Sequence, residues 1–291
     1  MKNIITFIVV VLISVKINSQ IKEYGFFGGG SYYIGDLNRS HFSQQEFSLG
    51  FVYKKNSLNK RTSFRMNFMY HQLKAVDFIS GNAFQINRNL DFRNLIIELG
   101  PVFEINFFEF IPGQNNAEIL GYGTPYFFCG LNYIRSNPQA RKYKGNFDNF
   151  NGDWVDLQPL GTEGQETSFN PQKKYSLNQI VIPFGLGVKV NISHHVSLAF
   201  EYGIRKTFTD YLDDVSGLYP DLDLLEAESG SLAVAFSENV KEEFDDDGNI
   251  VPKLDYSGLQ RGNSADKDWY MVSGFMLTYQ LFSDSSCPKW K

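Results

Sequence analysis

"QIVIPFGLGVKVNISHHVSLAFEYGIRKTF", residues 179–208, decides the fold, because it holds two runs of alternating residues separated by a short polar turn. Apolar residues occupy the even positions of 180–190 and again those of 196–204. The odd positions are mostly glycine, small or polar residues, among them Lys189 and Glu201. Such period-two alternation predicts a β-hairpin with one face against an apolar medium.

Similar alternation recurs along the chain, and helical periodicity is absent from these segments. Together with the opening hairpin, the further segments predict eight strands; they are about 23–34, 46–54, 62–72, 93–107, 124–134 and 269–282. The 27 Phe and 16 Tyr residues suit strands, which favour aromatic side chains. The sequence therefore predicts an all-β, antiparallel fold.

The connections between these strands alternate in length. Counted along the chain, the odd-numbered connections are together much longer than the even-numbered ones, and the two longest lie at about 135–177 and 208–268. In an antiparallel sheet this order places the long loops on one rim and the short turns on the other. Outer-membrane barrels show this asymmetry, with an even number of strands.

The polar faces of the strands indicate what surrounds the apolar faces. If the apolar faces met in a soluble core, the opposite faces would meet water and be rich in Lys, Glu and Asp. They instead carry mostly Gly, Ala, Ser, Asn and Gln, with a few charges of both signs. An Arg or Lys near the middle of a bilayer costs roughly 2–4 kcal/mol, so the apolar faces must point outward. We therefore predict an eight-stranded transmembrane β-barrel whose partner is outer-membrane lipid.

The predicted lumen contains charged residues that require partners. Eight strands leave an interior that side chains just fill, and buried charges must be paired. We therefore predict a lumen ion-pair core formed by Arg65, Glu98, Glu104, Lys189, Glu201 and Arg205. A catalytic or ion-conducting role for the same residues is the alternative.

The N-terminus and the composition predict an exported protein. Lys2 precedes the apolar run 4–13, and Ser19 offers a small residue for cleavage, so 1–19 is predicted to be a signal peptide and 20–291 the barrel domain. The predicted location is the outer membrane of a Gram-negative bacterium. No later segment has the length of a membrane helix. The net charge of −5 argues against a nucleic-acid partner.

Few sequence features suggest chemistry. The chain has no GxSxG, HExxH, Walker or CxxC motif, and His194 with His195 supplies too few ligands for a metal. The acidic stretch 243–249 lacks the distal acid of a calcium loop. Cys129 and Cys287 could form a disulfide in an oxidising periplasm. No enzymatic activity, cofactor, metal or small-molecule substrate is expected.

Several dense motifs lie in the predicted long loops. They include SYYIGDLN, LQPLGTEGQ and RKTFTDYLDDVS, and with the strand IPFGLGVK and a C-terminal CPKW they resemble the PorG family of outer-membrane components of the type IX secretion system. The residues that carry the resemblance in the loops are Gly35, Asp36, Leu37, Leu157, Gln158, Pro159, Leu160, Gly161, Thr162, Glu163, Gly164, Gln165, Thr207, Phe208, Thr209, Asp210, Tyr211, Leu212, Asp213 and Asp214. The segment 222–255 matches nothing in that family.

The resemblance implies association with a periplasmic ring of PorK and PorN type, and with other subunits of the secretion machinery. It carries no catalytic residue over to this chain. We expect the turn 109–123 and the tail, which ends near Trp290, to contact the ring. The alternatives are a stand-alone barrel that tethers the envelope, a narrow pore, or a barrel-borne hydrolase using His41 or His71.

Overall fold

The computed structural model describes residues 19–114, 116–141, 153–239 and 255–281, with side chains from residue 21 onward. Within these ranges the chain forms the strands β1 (Ser19–Ile34), β2 (Glu46–Ser57), β3 (Thr62–Val76), β4 (Asp91–Asn106), β5 (Gly123–Gly130), β6 (Asn132–Arg135), β7 (Pro138–Arg141), β8 (Trp154–Asp156), β9 (Asn178–Asn191), β10 (Val196–Lys206) and β11 (Trp269–Leu281). The helices are α1 (Ala83–Arg88), α2 (Leu222–Ser229) and α3 (Ser231–Ser237), with a short 3₁₀ turn at Asp77–Ile79.

The strands close into a ring. Their order is β3-β2-β1-β11-β10-β9-β5-β4, and β3 pairs again with β4. Both β5 and β6 lie between β4 and β9, interrupted at Leu131, so they form one strand of the barrel wall. All these pairings are antiparallel, and the predicted eight-stranded antiparallel barrel is confirmed.

The two faces of the wall differ as the alternation predicts. On the outer face Phe26 is 71% exposed and Phe200 45%, whereas on the inner face Arg65 is 1% exposed. A closed wall with an apolar exterior and a charged, filled interior suits lipid outside, because closure pairs every backbone group and removes the sheet edges. The chain is an outer-membrane β-barrel.

The two rims are built differently. The turns after β2, β4 and β9 lie at one end of the barrel, the short-turn rim. The loops after β1, β3, β6 and β10 lie at the opposite end, the long-loop rim. The helices and the β7–β8 hairpin belong to the long loops. Asn82 and Asp221 cap α1 and α2 by accepting backbone N–H groups, which explains where those helices begin. Among the described residues, no helix has the length and hydropathy needed to cross a bilayer.

Several sequence predictions fall outside the described residues. These concern the signal peptide up to residue 18, the acidic stretch 243–249, Cys287 and Trp290. Cys129 itself lies exposed on the outer face of β5.

Candidate functional site

Two networks of buried polar side chains stand out in the described part of the chain. The lumen network lies on the barrel strands and consists of Glu23, Lys54, Arg65, His71, Glu98, Glu104, Tyr126, Lys189, Glu201, Arg205 and Tyr270. The cap network lies in and beside the long loops and consists of Tyr33, Asp36, Asp77, Arg88, Thr162, Glu163, Tyr175, Asp213, Asp214, Arg261 and Asp268.

Glu104 is the centre of the lumen network near the short-turn rim. Its carboxylate accepts from Lys189 Nζ at 2.7 Å, from Lys54 Nζ at 2.9 Å and from Arg65 Nη1 at 3.1 Å. All four side chains are buried. The three cations converge on one carboxylate, which can satisfy them only because its two oxygens accept several hydrogen bonds.

Glu201 shares one of these cations. Arg65 binds it through both terminal nitrogens, with Nη2 donating to Oε2 at 3.0 Å, and the hydroxyl of Tyr126 donates to the same carboxylate. The guanidinium of Arg65 also lies over the ring of Phe128, 5.0 Å from its centre. Arg65 therefore bridges Glu104 and Glu201, and charges of opposite sign alternate across the lumen.

Glu98 organises the half of the lumen that lies nearer the long-loop rim. It accepts from Tyr270 Oη at 2.8 Å and Asn132 Nδ2 at 2.5 Å, and His71 Nε2 lies 3.0 Å away. Arg205 Nε lies at an ion-pair distance of 3.6 Å. The lumen is thus filled at both levels by bonded side chains.

His71 also contacts Ser48, with Nδ1 2.6 Å from the hydroxyl oxygen. Ser48, His71 and Glu98 therefore stand in the order of a hydrolase triad. Each of the three is 0% exposed, inside a filled barrel. A nucleophile must reach its substrate, so this arrangement gives the hydrolase alternative no accessible group. His41, the other candidate, is exposed and contacts the Tyr32 hydroxyl through Nδ1 at 3.2 Å.

The structure brings all six predicted lumen residues into these two clusters. Sequence reasoning missed Lys54 and Glu23, which share the inward parity of their strands with smaller residues. It also missed the phenols Tyr126 and Tyr270, and it left His71, which shares the inward face of its strand with Arg65, out of the ion-pair core. Strand parity would have found the charged residues, but no sequence signal shows which phenols reach them.

In the cap network, Arg88 at the end of α1 joins three loops. Its Nε and Nη2 each donate to the Asp77 carboxylate at 2.7 Å. Its remaining nitrogen, Nη1, donates to the backbone oxygen of Arg261 at 2.7 Å, and Nη2 also reaches the backbone oxygen of Asp36 at 3.1 Å. A buried guanidinium thus ties the loops after β1, β3 and β10 together.

Arg261 makes a second bridge between loops. Its Nη1 lies 3.0 Å from Glu163 Oε1 and donates to the backbone oxygen of Asp214 at 2.6 Å. The carboxylate of Glu163 also accepts the backbone N–H groups of Ser216 at 2.8 Å and Gly217 at 3.0 Å. These contacts join the LGTEGQ and TDYLDD motifs, which are far apart in sequence.

Tyr33, Asp213 and Asp268 form a buried cluster within the cap network. The hydroxyl oxygen of Tyr33 lies 2.5 Å from Asp213 Oδ2 and 2.7 Å from Asp268 Oδ1, and it accepts the backbone N–H of Asp36. A hydroxyl has one proton to donate, so the second carboxyl contact requires a proton on a carboxyl group. Burial, reinforced by the nearby carboxylates, raises the pKa of both Asp213 and Asp268 well above the ordinary range.

Asp214 lies between the hydroxyls of Thr162, at 2.5 Å, and Tyr175, at 2.6 Å. Burial raises the pKa of its carboxyl to about 6, although Arg261 and both hydroxyls oppose that shift. Burial likewise raises the pKa of Asp210 to about 7. The cap network is therefore rich in carboxyl groups that bind protons near neutral pH.

The family-like motif residues mostly build this interior. Leu37, Leu157, Gly161, Thr162, Glu163, Gly164, Gln165, Thr207, Thr209, Asp210, Leu212, Asp213 and Asp214 are buried; Gly35, Asp36, Gln158, Leu160 and Tyr211 are half-buried; Pro159 and Phe208 are exposed. A Cβ on Gly35 would lie 2.0 Å from the hydroxyl of Tyr33, so glycine is required there. Gly164 has φ of +73°, a conformation that favours glycine.

Sequence reasoning gave Tyr33 no role, although it lies within SYYIGDLN at the end of β1, and it missed the loop residues Asp77, Arg88, Tyr175, Arg261 and Asp268. Their only sequence signal is their position within long loops. No set of three or more His, Cys, Asp or Glu residues in the described ranges is arranged to hold a metal ion. The cap network therefore has the character of a structural tie between loops.

Comparisons with solved structures gave matches to outer-membrane proteins. Neisserial surface protein A is 9% identical with a TM-score of 0.40, and covers 89% of this chain and 96% of its own. Ail of Yersinia pestis, solved with a heparin analogue, is 7% identical with a TM-score of 0.38, covering 90% and 99%. A major outer membrane protein from Thermus thermophilus is 9% identical with a TM-score of 0.40, covering 89% and 99%.

No curated protein matches the sequence. A family model does match, over residues 2–151, which is about half of the chain. The matched region begins before β1 and runs through β7, so it includes Asp77 and Arg88 of the cap network. The chain belongs to the family described as Domain of unknown function (DUF6089).

Proposed function

We propose that this outer-membrane barrel is a non-enzymatic component of the type IX protein secretion machinery, and that it anchors a periplasmic ring of PorK and PorN type. The sequence motifs suggest the machinery, and the filled lumen supports the anchoring role. Because Glu104 and Glu98 each gather several buried partners across the interior, the barrel offers surfaces to other proteins and no passage through its centre.

The short-turn rim offers a surface suited to a periplasmic partner, since outer-membrane barrels turn their short connections toward the periplasm. In the turn between β4 and β5, Leu120 is 81% exposed, and Ile119 and Phe108 are also exposed. Asn191 holds this turn by donating from Nδ2 to the backbone oxygens of Ile111 at 2.9 Å and of residue 114 at 2.8 Å. A turn that is already fixed by hydrogen bonds loses little conformational entropy when a partner binds its exposed apolar residues, so it is well suited to docking.

The experiment is affinity recovery of the ring from cells that carry a barrel with Ile119→Asp and Leu120→Asp. We expect ring recovery to fall at least tenfold, because each substitution places an unpaired charge where an apolar side chain would be buried against the partner. Phe208→Asp is the matched control, since Phe208 is 55% exposed on the opposite rim. Heat-modifiable migration on gels verifies that every variant barrel is folded.

Two outcomes would contradict the proposal in different ways. Loss of ring recovery only with Phe208→Asp would move the binding surface to the long-loop rim. If no ring protein is recovered even with the unmodified barrel, the barrel acts outside this machinery, and the stand-alone tethering role takes its place.

A further inference from the structure

A group of cations lies on the outer face of the wall, where β4 meets the long-loop rim. Lys74 on β3 and Arg93 on β4 are direct partners across the two strands. Trp154 on β8 lies against this group, with its ring centre 3.9 Å from Cζ of Arg93 and 4.4 Å from Cζ of Arg141. These four side chains are all half-buried.

The height of this group on the wall follows from the strand register. On β4 the outward residues below Arg93 are apolar from Leu95 to Ile105. At about 3.4 Å per residue and a tilt near 40°, that stretch spans about 26 Å, close to the roughly 25 Å apolar band of an outer-membrane barrel. Arg93 and Lys74 therefore lie directly above the band, at the level of the lipid headgroups.

Neighbouring aromatic residues support this placement. On β3, Tyr70 faces outward four residues below Lys74, directly opposite Ile97, and stacks on Phe47 with 5.6 Å between the ring centres. Tyrosine and tryptophan concentrate where the bilayer meets water. Trp154 thus lies at the level of the headgroups, and Tyr70, about 10 Å lower on the wall, lies among the upper part of the acyl chains.

The positive charges of Lys74 and Arg93 favour binding of an anion between them. Like charges placed directly opposite each other on neighbouring strands destabilise a sheet. Among the described residues, neither Lys74 nor Arg93 forms an ion pair, and Arg93 donates only from Nε, to Gln139 Oε1 at 2.8 Å. The charge of Asp156 acts on Arg93 from beyond ion-pair distance. Its Oδ1 accepts from Gln139 Nε2 at 2.6 Å and from Asn137 Nδ2 at 2.9 Å. Gln139 and Trp154 therefore hold the guanidinium in place while its two terminal nitrogens stay available, which is the geometry that binds phosphate.

We infer that Lys74 and Arg93, supported by Trp154, form a binding site for the phosphate group of an anionic lipid in the leaflet on the long-loop side. The phosphate group belongs to a lipid, because the site lies directly above the lipid-facing residues Leu95 and Ile97, which acyl chains would contact. A soluble phosphate would gain the same charge contacts but none of this apolar contact.

The test is a binding titration of the purified full-length barrel in nanodiscs of neutral lipid, with bisphosphorylated lipid A as the probe. We expect Lys74→Gln with Arg93→Gln to bind about 30-fold more weakly, or about fivefold for each cation removed. The matched control is Lys55→Gln, since Lys55 faces outward on β2 at the short-turn rim and lies over Tyr53 in a similar way. The control variant should bind as the unmodified barrel does.

Two further titrations test whether the lipid phosphate is recognised. Dephosphorylated lipid A should bind both barrels equally weakly, and inorganic phosphate should not compete at millimolar concentration. If the double variant binds like the unmodified barrel, or if inorganic phosphate displaces the lipid, the inference is wrong. If the double variant does not fold, Lys74→Gln alone must show the fivefold loss.

Discussion

The lumen network and the cap network bury similar side chains, but the cap network also holds buried carboxyl groups that no cation among the described residues contacts. In the lumen network, Glu104 on β4 faces three cations from β2, β3 and β9 across the barrel interior. In the cap network, Asp213 and Asp268 meet across a single tyrosine hydroxyl. A buried carboxyl can be accommodated by pairing it with a cation or by leaving a proton on it, and this protein uses both solutions.

The difference follows from the elements that supply hydrogen-bond and ion-pair partners to the carboxyl groups of each network. Barrel strands present inward residues at fixed heights, so a cation on one strand can be matched to a carboxylate on another. Loops lack that regular lattice. They form the ion pairs Asp77–Arg88 and Glu163–Arg261, but their other buried carboxyl groups meet hydroxyls, as Asp214 does with Thr162. The lumen network should therefore depend on charge, and the cap network on pH.

The largest expected effect is in the lumen network. Glu104→Gln keeps the volume but leaves Lys54, Arg65 and Lys189 without their shared carboxylate. Removing one partner of a buried ion pair costs about 3–5 kcal/mol, and we expect the upper end because three cations lose the same partner. The measurement is urea unfolding in lipid vesicles, followed by heat-modifiable migration on gels.

Two controls define that result. Glu118→Gln changes an exposed carboxylate on the short-turn rim and should leave unfolding unchanged. Adding Lys54→Met to Glu104→Gln should recover part of the lost stability, because one unpaired charge is removed. If Glu104→Gln unfolds like the unmodified barrel, water must reach the lumen cations and the contrast between the networks fails.

In the cap network, a comparable substitution should leave the barrel intact. Arg261→Met removes the guanidinium from Glu163, and we expect the free energy of cap opening to fall by about 3 kcal/mol. Hydrogen exchange of the described loop 208–239 should rise while heat-modifiable migration stays unchanged. Lys173→Met is the matched control, since Lys173 is an exposed lysine in the loop after β6 and exposed charges contribute at most about 1 kcal/mol. Loss of the folded barrel with Arg261→Met would show that the two networks act as one unit.

The pH dependence should separate the networks further. The pKa of Asp214 is raised to about 6 in the folded cap from its ordinary 3.8, so the folded state binds more protons than the unfolded state between these values. Cap stability must therefore fall as pH rises through that window, by on the order of 3 kcal/mol for this group. The raised pKa values of Asp213 and Asp268 extend the loss to higher pH.

Limited proteolysis of the loops at pH 5 and pH 8 measures this effect. We expect faster cleavage at pH 8 after correction for the protease's own pH profile. Asp214→Asn should remove the share of the difference that belongs to this group, because an amide does not titrate. Between pH 5 and the folded-state pKa of about 6, that share is about 1.4 kcal/mol. Cleavage that accelerates on acidification would mean that the cap carboxyls are stabilised as anions, as those of the lumen are.

These contrasts also explain how far the sequence predicts the structure. The alternation in 179–208 determines which side chains face inward, so Lys189, Glu201 and Arg205 can be assigned to the lumen from the sequence alone. The same alternation cannot say that Arg65 joins Glu104 to Glu201, since that depends on shear and register. In the cap, Arg88 and Arg261 lie far apart in the chain and meet only after four loops fold. No periodic pattern of residues in the sequence predicts that Arg88 and Arg261 come into contact.

The smallest expected effect concerns a single hydroxyl in the lumen. Tyr126→Phe removes one donor from Glu201, but the carboxylate keeps two hydrogen bonds from Arg65. A hydrogen bond to a charged group contributes about 1.5–3 kcal/mol, and we expect the lower end because Glu201 stays paired. Urea unfolding in vesicles should show a loss of about 1.5 kcal/mol, well below that of Glu104→Gln. Equal losses for the two variants would mean that the phenol rather than Arg65 stabilises Glu201, and the lumen network would then resemble the hydroxyl-bound carboxyls of the cap network.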